Sequence, residues 1–413
     1  MKKNLLAVIS GLLALAAIVL IVWFLFLNHP DRKTLSFSEN YLVAPDKILI
    51  GSSAALTGHA GFLGSEYIKG AQAYLNEINS RGGINGRRIV LISYDDQYDP
   101  PTAVINTQKL IKEDKVFALF NYVGTPTGVK VIPLVDESSV PLLGLFTGAD
   151  AFRHPVDRYI FNLRASYFEE VGAFIKGAVE ELGFTRIAVL YQYDAYGFDG
   201  LKGAEIALAN YGLKPVATAS YERGTLDVEP ALATIKDSGA EAVVMIGTYS
   251  PMAKFIKLAR AEGFDPVFQN VSFVGSEALA SELGKDGEGV IVTEVVPPPY
   301  EKNLLIGVDE YTTLLKKYYP ESHTSFGALE GFMNAKILVE GLKRAGADLS
   351  REKFIAALES IDNYDLGIAS PVSFSRINHQ GMNRVYLTYI KDGKFVLFSD
   401  WSEIKKIRAK RSL

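Results

Sequence analysis

From Lys47 onward, short apolar runs alternate with amphipathic segments, and this alternation leaves the chain few architectures to fold into. KILIGSSAAL reads as a strand and EYIKGAQAYLNEINSR as a helix. In that helix Ile68, Ala71, Leu75 and Ile78 recur every three or four residues, and Gly82-Gly83 ends it. RRIVLISY is the next strand, DPPTAVINTQKLIKED a helix with proline in its first turn, and KVFALF a strand. VKVIPLVDES is helical, and VPLLGLF is a strand. Short, continuously apolar strands separated by helices predict a parallel sheet covered on both faces. After RYIFNLR (158–164) the alternation restarts with YFEEVGAFIKGAVEELG, RIAVLYQ, DGLKGAEIALANYG and KPVATASY. It continues through EPALATIKDSG, EAVVMIGT, MAKFIKLARAEG and PVFQNVSF, which predicts two doubly wound α/β units in series. The end differs: GALEGFMNAKILVEGLKRAG and SREKFIAALES are consecutive helices. SPVSFS and a hairpin, VYLTYIKDGKFVLF, follow, with the hairpin turning at Asp392-Gly393.

A length of 413 residues predicts two or three domains. The net charge of -4 gives no sign of nucleic-acid binding. Cysteine is absent, which excludes disulfides, thiol nucleophiles, zinc-thiolate sites and the lipidated cysteine of a bacterial lipoprotein. Residues 5–27 form an apolar run broken only by Ser10 and Gly11, long enough as a helix to span the ~30 Å hydrocarbon core of a bilayer. Ala14, Ala16 and Ala17 lie inside the run, and NHPDRK after it offers no small-x-small cleavage site. A retained transmembrane anchor is therefore favoured over a cleaved signal. Lys2 and Lys3 place residues 1–4 in the cytoplasm and the bulk of the chain outside. Residues 28–45 read as a polar linker, and 403–413 as a basic tail, solvated rather than lipid-bound.

Catalytic signatures are scarce. The five histidines are scattered, and phosphate-loop, dinucleotide and nucleophile-elbow motifs are missing. Asp95-Asp96 either binds a metal or, as acids at a strand end more often do, caps a helix or ties down a loop. In open parallel sheets, ligands bind beyond the carboxyl ends of the strands. There the first unit places TGHAGFLG, NYVGTPTG and TGAD, and the second YDAYGFDG and YSPM. Hydroxyls and bare backbone on one wall, with aromatic rings on the other, suit a ligand cleft. In VGTPTG, Thr125 has N-cap chemistry with Pro126 at N1, and Gly124 permits close approach to the backbone. Thr125 either caps its helix only or also faces an anion.

With these loops, the chain resembles the type I periplasmic binding proteins of the branched-chain amino-acid group, the solute receptors of ABC transporters. SSAALTGHAGFLG, KGAQAYLNEINSRGGINGRRI, YDDQYDP, VGTPTG and VPLLGLFTGA carry the resemblance, followed by YGFDGLKGA, GTYSPMAKFIKLARAEG, EGFMNAKILVEGLKRAG and FSRINHQGMNRVYLTYI. The resemblance implies two α/β lobes joined by a three-strand hinge. Lobe 1 would comprise 46–164 and 297–370, and lobe 2 would comprise 165–296 and 371–402. It implies no enzymatic activity and no cofactor or metal, but a small solute and a membrane partner, either a permease or a sensor. Thr125, Thr147 and the backbone of Gly148 and Ala149 would hold the solute's carboxylate, with Phe62 or Leu63 beside it. Tyr249 and Tyr196 would close the site from lobe 2, with Tyr193 and Phe198 competing for the place of Tyr196. Where amino-acid-binding members carry an acid for the ligand ammonium, this chain has Ser272. That departure favours a small carboxylate, aromatic given the tyrosines, over a plain α-amino acid.

Overall fold

The computed structural model describes residues 46–300 and 305–411. Its first sheet has strand order β2-β1-β3-β4-β5. The strands are β1 (Lys47–Ala54), β2 (Arg88–Asp95), β3 (Ala118–Phe120), β4 (Leu142–Leu143) and β5 (Ile160–Phe161), all parallel. Helices α1 (Gly61–Ser80), α2 (Pro100–Lys112) and α3 (Thr125–Ser138) connect β1 to β4. The order reverses at β1, which pairs with β2 on one side and β3 on the other. The loops after β1 and β3 therefore flank a crevice.

The second sheet has order β14-β13-β10-β9-β8-β6-β7. Strands β6 (Ile187–Gln192), β7 (Thr218–Tyr221), β8 (Ala242–Ile246), β9 (Val267–Val271) and β10 (Ile291–Glu294) are parallel. Helix α4 (Tyr167–Glu180) precedes β6, and α5 (Ala195–Ala209), α6 (Glu229–Asp237), α7 (Tyr249–Ala261) and α8 (Ser276–Leu283) run between the strands. The hairpin of β13 (Tyr386–Lys391) and β14 (Lys394–Leu397) adds antiparallel strands at one edge. Asp392 and Gly393 both have positive φ, 50° and 73°, as a two-residue hairpin turn of this hand requires.

The chain leaves the first sheet after β5 and leaves the parallel part of the second after β10. It then forms α9 (Ile306–Tyr318), α10 (Phe326–Ala345) and α11 (Arg351–Glu359), followed by the small pair β11 (Tyr364–Asp365) and β12 (Pro371–Val372). It returns to the second sheet at β13. The first and last crossing segments run side by side: the Asn162 amide donates to His379 O at 2.9 Å, and the Gly381 amide donates to Asn162 O at 2.8 Å. Helix α10 lies directly on α1. A Cβ at Gly70 would fall 1.7 Å from Ala328 O, and one at Gly331 would fall 2.0 Å from Tyr67 O, so the two backbones approach as only glycine allows.

Several strands are shorter than their apolar runs predict. VPLLGLF keeps only Leu142–Leu143, because Gly144 turns to φ 78° beside the side chains of Asn334 and Asn121. Of residues 403–413, read as a solvated tail, 403–411 instead form most of α12 (Ser402–Arg411), and 412–413 lie outside the described residues. Ile404 and Trp401 are buried, and Arg411 Nε donates to Asp265 at 2.8 Å, which docks the helix against the second sheet's layer. Among the described residues no helix is long and apolar enough to cross a membrane. The apolar run at 5–27 and the linker at 28–45 lie outside the described residues.

Candidate functional site

The carboxyl ends of both sheets face one another, and the side chains between them form two neighbouring zones. The first is the hydroxyl wall. Thr125 and Thr147 are buried, with their hydroxyls 2.7 Å apart, and the Ala149 amide donates to Thr147 Oγ1 at 3.2 Å. Gly148 O accepts from the Tyr167 amide at 2.8 Å, and a Cβ at Gly148 would strike the Tyr167 ring. Arg153, also buried, braces this loop through Ala149 O and Thr147 O, and reaches Arg164 O and Gln380 on the crossing segments.

Thr125 does not cap α3. The N-cap is Gly124, whose φ of 96° starts the helix one residue earlier than expected and leaves Thr125 free to meet Thr147. Gly124 is needed for a second reason: the Tyr98 ring sits where a Cβ would lie, with Cε2 2.0 Å away. Aromatic rings close the wall. Phe273 packs 5.3 Å from Phe146, 5.9 Å from Tyr98 and 4.7 Å from Tyr196, and Tyr196 lies 5.1 Å from Tyr167. Tyr196, and neither Tyr193 nor Phe198, occupies the interior: its OH donates to Gly247 O at 3.4 Å, whereas the other two are exposed.

The second zone is ionic and fully buried. Arg164, on the first crossing segment, donates to Ser272 Oγ and lies 3.3 Å from Glu170 and 3.7 Å from Glu330. Its guanidinium also stands 4.9 Å over the Phe146 ring. Glu170 accepts from the Ser272 amide at 2.7 Å, the Ser272 hydroxyl at 2.9 Å and the Thr293 hydroxyl at 3.0 Å. Arg164 thus ties the first crossing segment to Ser272, just after β9, and to helix α10, while Glu170 adds Thr293 of β10. Burial works to lower the pKa of Arg164, but Glu330 and Glu170 hold it above the ordinary arginine value. Burial raises Glu170 and pushes Glu330 up to about 7, with Arg164 opposing both shifts. Removing one member of such a group leaves a buried charge unpaired, at a typical cost of about 3–5 kcal/mol.

Ahead of this cluster, Phe62, Leu63 and Ser272 line a small cavity with Glu277, Glu294 and Glu330. Tyr249 stands at its edge, half-buried, with its ring 6.1 Å from Phe62 in an edge-to-face pair.

Residues 47–394 match the family described as periplasmic binding protein. The chain belongs to that family. Its members are ligand-binding receptors, not enzymes. Among its relatives, the Leu/Ile/Val-binding protein homolog 7 of Brucella suis biovar 1 (strain 1330) is 26% identical over 381 residues, which cover 87% of this chain and 94% of that protein. Among solved structures, a possible leucine/isoleucine/valine-binding protein from Rhodopirellula baltica SH 1 superposes with a TM-score of 0.83 at 33% identity, covering 87% of this chain and 98% of that one. A substrate-binding periplasmic protein from Ralstonia solanacearum gives 0.80 at 30% identity, covering 85% of this chain and all of that one. The two-lobed α/β fold of periplasmic binding proteins is therefore the fold of this chain.

Within this periplasmic binding protein, the predicted residues divide between the two zones. Gly124, Thr125, Thr147, Gly148, Ala149 and Tyr196 meet at the hydroxyl wall. Phe62, Leu63 and Ser272 meet at the cavity, with Tyr249 beside them. Ser272 is already engaged by Arg164 and Glu170. Asp95 ties down a loop by accepting from the Leu56 and Gln97 amides, each at 2.9 Å, and Asp99 caps α2. No group among the described residues has the arrangement to hold a metal ion. Sequence reasoning missed Arg164, Glu170, Glu294 and Glu330. A signal existed for two of them: Glu170 interrupts the apolar stripe of Tyr167, Val171 and Phe174, and Glu330 that of Phe326, Met333 and Ile337.

Proposed function

We propose that this periplasmic binding protein is the extracytoplasmic solute receptor of an ABC-type uptake system, closing its lobes on a small carboxylate-bearing solute. Lobe 1 comprises 46–164 and 297–370, and lobe 2 comprises 165–296 and 371–402. Thr125, Thr147 and the backbone of Gly148 and Ala149 hold the carboxylate from lobe 1, while Tyr196 and Tyr249 close over it from lobe 2. The observation that carries this reading is the meeting of buried polar groups from both sheets around Arg164, which joins Ser272 beside β9 to Glu330 on α10. Such a contact is made or broken as a unit, so it suits a two-state cleft. The named Leu/Ile/Val-binding relatives support uptake over a purely sensory role. We place the receptor on the outer face of the cytoplasmic membrane, held there by residues 5–27.

The test is a thermal-shift screen of amino acids and small carboxylates, followed by titration of any hit. Tyr249→Ala is expected to weaken the hit about tenfold or more, or ~1.4 kcal/mol, while the circular dichroism spectrum stays unchanged. Chemical turnover of the hit, or equal affinity in the variant, would contradict the reading.

A further inference from the structure

The loop after β1 carries His59 to the second sheet's side of the cleft, where it meets the loop after β7. A Cβ at Gly224 in that loop would lie 3.6 Å from His59 Cε1 and 4.0 Å from Nε2, so the imidazole edge faces this bare backbone. His59 Nε2 is buried and has no hydrogen-bond partner among the described residues. Tyr98 flanks the imidazole at 5.5 Å, and the Arg223 guanidinium lies 5.8 Å from the Tyr98 ring. Arg223 in turn reaches Asp194 at 3.9 Å, the residue that caps α5 by accepting from the Tyr196 amide at 3.0 Å. Tyr98 packs on Gly124 and lies 5.9 Å from Phe273. His59 and Tyr98 thus touch Arg223 and Gly224 across the cleft, in a contact that ends on the cap of Tyr196's helix and on the start of α3.

We propose that this contact is an acid-sensitive clasp, in which His59 holds the two lobes together only while its imidazole is neutral. The inference rests on the lobe closure of the receptor reading, but not on which solute is bound. Protonation would place a second cation beside Arg223 in a partly buried site. The acids of the surrounding loops are already engaged. Asp194 serves Arg223, the α5 cap and the Gln192 amide at 2.6 Å. Asp95 accepts from the Thr57 hydroxyl at 2.5 Å and from the Leu56 and Gln97 amides, and Asp99 from the Thr102 amide at 3.0 Å. Burial first, and Arg223 second, lower the His59 pKa from its ordinary value. Opening returns the ring to water and to that ordinary value, about 6.5. Below it the open form takes up a proton that the closed form refuses, so acid moves the balance toward the open form. The cleft acids Glu277 and Glu330, which burial raises to about 7, act in the opposite sense, because closure keeps their protons. The effect of His59 is therefore read against a variant that lacks it and retains those acids.

The experiment uses the full-length protein in detergent micelles, spin-labelled at Lys130→Cys on α3 and Lys202→Cys on α5. Double electron–electron resonance gives the closed-to-open ratio at pH 7.5 and pH 5.5, alone and with the amino acids and small carboxylates of the screen. Across that interval the ratio is expected to fall by about threefold or more in the labelled parent relative to its His59→Gln variant. Imidazole NMR signals, followed in parallel, should show His59 titrating below the ordinary histidine value, and closer to it in Arg223→Gln. An equal pH response in parent and His59→Gln overturns the clasp, as does a His59 titration at or above the ordinary value. Closure on a solute without a pH response traceable to His59 overturns the clasp alone and leaves the receptor reading standing. A His59-dependent response with no closure on any solute supports the clasp and overturns the receptor reading. A single distance that neither acid nor solute changes overturns both.

Discussion

Glu330 illustrates how a single side chain sets the behaviour of the cleft. Burial raises its carboxyl to about 7, so between the unfolded value near 4.5 and about 7 the native chain keeps a proton that the unfolded chain has released. Stability from this group is present below that window and is lost as pH rises through it. Glu330→Gln removes the titration while keeping the shape. Melting temperature measured from pH 5 to 8 should fall less steeply in the variant, on top of the pH-independent loss from removing a partner of Arg164. A slope equal to that of wild type would mean that the carboxyl is not buried as described. The hydroxyl residues of the wall were legible in the sequence because Gly, Thr and Pro at a strand end have a local meaning. Glu330 and Glu170 were not, since a charge within an amphipathic helix reads as solvated until tertiary packing fixes which face is buried. Glu294 of β10 and Glu330 of α10 line the same cavity as Ser272, although both are remote from it in the chain.

At the scale of elements, the α1–α10 contact holds the first lobe together through backbone proximity rather than large side chains. Gly70→Ala would drive a methyl into Ala328 O and force the helices apart, with an expected loss of about 3 kcal/mol or more, measured by urea denaturation. A loss below ~0.5 kcal/mol would contradict the close approach. The alternation of strands and helices was readable because period and punctuation are local properties. The truncation of β4 was less so: it depends on Gly144 turning away beside Asn334, a residue far along the chain. Helix α12 escaped notice because its composition is mainly basic, and its anchors, buried Ile404, the preceding Trp401 and the Arg411–Asp265 pair, depend on tertiary packing.

Taken whole, the molecule is two sheets facing each other across a polar cleft, joined by crossing segments that run in register at Asn162 and His379. That arrangement permits rotation of one lobe against the other with few bonds broken outside the cleft. Two doubly wound units and the restart near residue 164 could be anticipated from the sequence alone; the interlocking ionic cluster at their junction could not. Because the chain has no cysteine, paired labels can be placed without background. Double electron–electron resonance between spin labels at Lys130→Cys on α3 and Lys202→Cys on α5 measures the separation of the lobes directly. The account predicts a longer-distance population in the solute-free protein that collapses to the shorter one on addition of a binding solute. A single distance distribution, unchanged by a solute shown to bind, would contradict it.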